Sequence, residues 1–140
     1  MKRRVLYLIL PIIAVVLEIL PYGAVCNFAY QAENGSIERF RELHSYFSLI
    51  PFGYANFAPM LTAILSCVSV ALLIVYAITG KRIVSNIAKG VLCASVLFSL
   101  APLLFGLDYF SVVGGCITVV LAGGLTVLFF ADKEKQEKQE

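Results

Sequence analysis

Polar and apolar positions along this chain separate into long blocks. No charged residue falls between Tyr54 and Thr79, between Gly90 and Leu107, or between Tyr109 and Ala131. Near the start, Val5 to Leu17 is also uncharged; Glu18 interrupts, and the apolar run resumes from Ile19 to about Ala29. A helix crossing a hydrocarbon core of about 30 Å needs about 20 mostly apolar residues. The pattern therefore predicts an all-α, four-helix transmembrane bundle. It forms one domain over residues 1–131, with spans at about 5–28, 54–79, 88–107 and 109–131. Strands of a membrane barrel alternate in segments of about 10 residues, and these runs do not alternate.

Between the first two spans lies a loop over residues 30–53. Asn34-Gly35 predicts a turn. Ser36 is then placed to cap a short interfacial helix from Ile37, with Ile37, Phe40, Leu43, His44 and Phe47 on one broad face. Asn34-Gly35-Ser36 also matches a glycosylation sequon. Residues 132–140 mix Lys, Glu and Gln and predict a disordered tail.

Composition agrees with the block pattern. Hydrophobic residues make up 60% of the 140 and charged residues 14%, against about 45–50% and about 25% in soluble domains. A chain of about 150 residues still exposes roughly 30% of its unfolded surface, so the excess has no core to fill. A soluble enzyme, a nucleic-acid binder and a disordered protein are excluded on this ground. The lipid bilayer is the expected partner, joined by a second copy or another membrane protein.

Charge placement predicts orientation. Lys2, Arg3 and Arg4 precede the first span, Lys81, Arg82 and Lys89 lie between the second and third, and Lys133, Lys135 and Lys138 follow the fourth; only Arg39 and Arg41 lie on the other side. This positive-inside bias predicts cytoplasmic termini at a cell membrane. The tyrosines, Tyr7, Tyr22, Tyr30, Tyr46, Tyr54, Tyr76 and Tyr109, all fall near predicted membrane boundaries, where amphipathic rings prefer to sit. A cleaved signal peptide over Met1 to Cys26 is the competing reading of the first span. Glu18 inside its apolar stretch and the Gly23-Ala24-Val25 sequence before Cys26 weigh against it.

Glu18 is the leading candidate for chemistry. It lies far enough beyond Arg4 to sit about 21 Å into the bilayer at 1.5 Å per residue. An acid at such depth faces protein or a wet cavity. Small and hydroxylated stripes give it company: Pro59, Thr62, Ser66 and Ser69 on the second span, Ser95, Ser99 and Pro102 on the third, Gly114, Thr118, Ala122 and Thr126 on the fourth. Such stripes are the contact faces of membrane helices. Depth counting puts Thr62, Ser99 and Thr118 near Glu18, and these four form the candidate ion or proton site. The alternative is a structural Glu that ties helices together.

The remaining chemistry is sparse. Cys26, Cys67, Cys93 and Cys116 form no C-x-x-C and differ in depth, so no metal site is expected; a Cys26–Cys116 bridge stays open. With one histidine and no nucleophile–base pair, no catalytic residue and no cofactor are expected. Pro21-Tyr22-Gly23-Ala24-Val25 and the segment Tyr46-Phe47-Ser48-Leu49-Ile50-Pro51-Phe52-Gly53-Tyr54-Ala55-Asn56-Phe57 resemble parts of short four-span membrane proteins of Gram-positive bacteria that carry no assigned activity. In layout alone, four spans with a carboxylate in the first are similar to small multidrug-resistance exporters, and claudin-like proteins share the span number but have loop cysteines and a tryptophan missing here. The sequence thus points to a non-enzymatic membrane protein with a structural, accessory or interaction role. A small proton- or cation-linked transporter using Glu18 is the alternative.

Overall fold

The computed structural model describes residues 2–33 and 35–137, with side chains described from 7 to 33 and 35 to 133. Asn34 of the sequon and the last three residues of the predicted tail lie outside the described residues. Five helices and one hairpin follow in order: α1 (Lys2–Ile19), β1 (Ala24–Gln31), β2 (Ile37–His44), α2 (Leu49–Gly53), α3 (Ala58–Thr79), α4 (Arg82–Leu100) and α5 (Val112–Glu137). Two 3-10 turns, Ala101–Phe105 and Leu107–Tyr109, join α4 to α5. The four long helices close a ring, in which α1 packs on α3 and α5, and α4 packs on the same two. Among the described residues, three segments, Ala58–Thr79, Arg82–Phe105 and Val112–Lys133, are long and apolar enough to cross a membrane.

The first predicted span is too long. α1 ends at Ile19, and Ala24 already begins a strand. Pro21 accounts for the stop: it offers no amide and drives the residue before it out of helical conformation. The Glu18 carbonyl is instead taken by the Tyr46 amide at 2.9 Å, so the loop returning from the hairpin caps the helix.

The predicted interfacial helix from Ile37 is also corrected, because that segment is β2. It pairs antiparallel with β1, setting Phe28 opposite Phe40, Asn27 opposite Arg41 and Ala29 opposite Arg39. Glu38-Arg39-Phe40-Arg41-Glu42 reads as well with a period of two as with 3.6. The neighbouring Ala24–Gln31, rich in β-formers, supplies the partner that decides for strand. One face stacks Phe28 on Phe40 at 5.2 Å between ring centroids, and Tyr54 meets Phe28 edge-on at 4.9 Å. Gly35 takes φ +82° in the turn, a conformation that favours glycine.

Other boundaries move for local reasons. α3 starts at Ala58, with Pro59 in its first turn and Ala55 just before it at φ 64°. Its end is closed by Gly80 at φ 66°, whose amide reaches the Tyr76 carbonyl at 2.8 Å. α4 begins at Arg82, a turn and a half ahead of the predicted 88. α5 runs on through Glu137, so the segment expected as a disordered tail from 132 begins as helix. Asp132 is buried in it.

Burial differs from that of a water-soluble bundle in that serines share the core with Leu73, Leu92, Ile117, Leu121 and Leu128 while large aliphatic side chains face outward. Ser66, Ser69, Ser85, Ser95 and Ser99 are fully enclosed, as are Ala14, Ala63 and Ala88, whereas Leu97 is 65% and Val119 71% exposed. Small residues let helices approach closely, and the outward Leu, Ile and Val are left for an apolar solvent. At the hairpin end the Tyr46 ring fills the closest approach. A Cβ on Gly23 would lie 2.8 Å from Tyr46 Cδ1, and one on Gly114 3.1 Å from its hydroxyl. Gly23→Ala should therefore lower stability in detergent by about 1–3 kcal/mol through overpacking. Gly90→Ala, which meets nothing within 4 Å, should leave the melting temperature unchanged or raise it.

Candidate functional site

Three polar clusters lie in the interior. In the half of the bundle toward the hairpin, Glu18 on α1 is fully buried. Its Oε1 accepts a hydrogen bond from Ser66 Oγ on α3 at 2.7 Å, while Oε2 and the neighbouring-turn Ser69 Oγ are buried without a partner. Above it, Tyr46 is 2% exposed. Burial, and then the Glu18 charge, raise its phenol above the ordinary value, so Tyr46 remains a neutral wall.

Of the three residues expected near this acid, none is hydrogen-bonded to it among the described residues. Thr62 is buried on the correct face but donates to its own helix, to Ala58 O at 2.8 Å. Ser99 and Thr118 pair with each other between α4 and α5, 2.9 Å apart, with Thr118 also within 3.0 Å of Gly114 O and Ser99 donating to Val96 O at 2.7 Å. Ser66 takes the place assigned to Thr62. Both belong to the stripe that the sequence exposes, one turn apart, and depth counting along separate helices does not resolve one turn.

The third cluster, at the α3–α4 end, was missed. Asp132 on α5 accepts from Tyr76 on α3 at 2.6 Å and from Ser85 on α4 at 2.5 Å, and pairs with Lys89 on α4. Tyr7 on α1 packs its ring 5.7 Å from that of Tyr76, so all four long helices meet here. The Lys89 ammonium also lies 4.9 Å from the centre of the Phe129 ring. A signal was present: Asp132 continues the buried series Ile117, Leu121, Leu128 along one face of α5. Reading it as the first residue of a charged tail hid that periodicity.

Chemically these clusters are ties. Ser66 and Tyr76, the α3 contacts of the two carboxyl groups, are ten residues apart, or about 15 Å at 1.5 Å per residue. The acids therefore do not share a site. The cysteines Cys26, Cys67, Cys93 and Cys116 are all free thiols, so the Cys26–Cys116 bridge is not formed. Burial, and then the Glu42 charge, push the Cys26 thiol above its ordinary value, which makes it a poor nucleophile at neutral pH.

Comparison of the chain with protein-family models, with curated proteins and with solved structures finds no match.

Asp132→Leu should cost about 3 kcal/mol or more, because it leaves the Lys89 charge without its partner. Adding Lys89→Met should restore part of that loss, as removing both members of a buried pair often does. Thermal unfolding of the single and double variants in detergent measures both.

Proposed function

We propose that this chain is an integral, multi-pass membrane protein with a non-enzymatic structural, accessory or interaction role. In this reading α1 is the fourth span, both termini are cytoplasmic, and the bundle holds the Ala24–His44 hairpin at the outer surface of a bacterial cell membrane. α1 has 18 residues, about 27 Å of helix, which lies at the short end of the spanning range. The basic residues around Lys81 and Lys133 favour the orientation.

The observation that carries the role is the use made of the buried carboxyl groups. Glu18 joins α1 to α3 through Ser66, and Asp132 joins α3, α4 and α5. Charged residues inside a membrane are either functional or paired, and these are engaged in holding helices. The surface left for contact with other molecules is the hairpin and the α4–α5 turn.

Transport is the second reading, and one observation favours it: Glu18 Oε2 is buried without a partner, as an acid that exchanges a proton or cation would be. Glu18→Gln separates the two. On the leading reading, reconstituted liposomes show no proton- or cation-coupled flux dependent on Glu18, and the variant melts at lower or equal temperature. A flux present in the native chain and abolished by Glu18→Gln would replace the accessory role with transport. Orientation is checked by labelling single cysteines in a cysteine-free background in intact cells. Gly35→Cys should react with an impermeant maleimide and Gly80→Cys should not; the reverse result would invert the topology.

A further inference from the structure

The hairpin does not stand clear of the bundle. Asn27 and Arg41, opposite each other in the strand register, both reach the α4–α5 turn: Asn27 Nδ2 lies 3.4 Å from Asp108 O, and Arg41 Nη2 donates to Phe110 O at 3.0 Å. Between hairpin and turn is a groove of about 540 Å³ lined by Asn27, Arg39, Arg41, Asp108 and Tyr109 among others. Arg39 lies one pleat beyond Arg41 on the same face, opposite Ala29. The small alanine side chain leaves the groove open at that point. Among the described residues the Arg39 side chain makes no hydrogen bond or ion pair, so a fixed guanidinium and an uncommitted one line the same cleft. Two arginines with one aspartate leave one net positive charge, which matches a single phosphodiester and not a polyphosphate. Arginine suits such a group because its planar fork meets phosphate oxygens in pairs.

The surroundings select the source of that phosphate. Leu104 is 87% and Leu107 82% exposed on the turn that forms one wall of the groove, next to Tyr109, a residue type enriched at headgroup level. A water-borne ligand would gain nothing from these leucines; an acyl chain would cover them. We propose that the groove between β2 and the α4–α5 turn binds the phosphodiester headgroup of a phospholipid, with Arg39 as its principal contact and Arg41 as its preset neighbour. The inference rests on the membrane reading above.

The test uses the full-length chain in a nonionic detergent, with lipid binding followed by native mass spectrometry. Three probes separate the contributions: phosphatidylglycerol, diacylglycerol without phosphate, and the soluble phosphodiester glycerophosphoglycerol. Phosphatidylglycerol should bind at least fivefold more tightly than either of the others. Arg39→Gln should remove that advantage, Arg39→Lys should keep part of it, and Arg82→Gln, at the far end of the bundle, should leave it unchanged. Arg39 is exposed, so its variants leave the interior intact. Equal binding of diacylglycerol, or an unchanged preference in Arg39→Gln, would overturn the site. Glycerophosphoglycerol binding as tightly as the lipid would overturn the lipid assignment. These failures are distinct from failure of the membrane reading, which would appear as a folded chain recovered in water without detergent.

Discussion

A polar group enclosed by apolar surroundings is costly unless hydrogen-bonded, and the few such bonds made between helices organise this molecule, although Glu18 Oε2 and Ser69 Oγ are left without one. Its helix interior encloses Glu18, Asp132 and several serines beside Leu73, Leu92, Ile117, Leu121 and Leu128, and much of the outward helix surface is leucine, isoleucine, valine and phenylalanine. Apolar contact alone holds membrane helices poorly, since lipid offers the same contact. Close approach at small residues and a few interhelical hydrogen bonds therefore decide which faces meet. Ser66 on Glu18 fixes α1 against α3. Thr118 on Ser99 fixes α5 against α4. Asp132, reached by Tyr76, Ser85 and Lys89, closes the ring at the opposite end.

The hairpin depends on the same arrangement. Because Pro21 ends α1 early, the chain reaches the surface with an unfilled carbonyl at Glu18, which the Tyr46 amide takes. The Tyr46 ring then occupies the space that Gly23 and Gly114 leave, and Ser111 Oγ donates to Gly23 O at 2.5 Å while capping Gly114 N at 2.8 Å. Helix end, hairpin base and the start of α5 thus meet at one tyrosine. The surface groove inherits its shape from this junction, since the turn before Ser111 forms one wall.

Much of the architecture is readable from spacing alone. The three long apolar segments follow from missing charges, and the inward faces of α3 and α4 from small residues recurring every third or fourth position. Glu18 stands out as an enclosed acid for the same reason. On α5 the expected stripe is buried only at Gly114, with Thr118 and Ala122 half-buried and Thr126 exposed, and the enclosed face runs through Ile117, Leu121, Gly124 and Leu128. What spacing leaves open is vertical register between helices, which the connections set: α1 is shorter than its apolar run suggests, and Glu18 meets Ser66 and not Thr62. Two further features need tertiary context. Glu38 to Glu42 becomes a strand only because β1 lies beside it, and Asp132 is a core residue only because Tyr76, Ser85 and Lys89 arrive at its level.

The central claim is that the outward apolar faces meet lipid and the small polar faces meet one another. Spin labels at Leu97 and Val119, both outward, and at Ser95, inward, can be compared in bilayers by their collisions with oxygen and with a water-soluble nickel chelate. Strong oxygen and weak nickel collisions at Leu97 and Val119, with both weak at Ser95, are the predicted result. Strong nickel collisions at Leu97 and Val119 would place those faces in water and contradict the account.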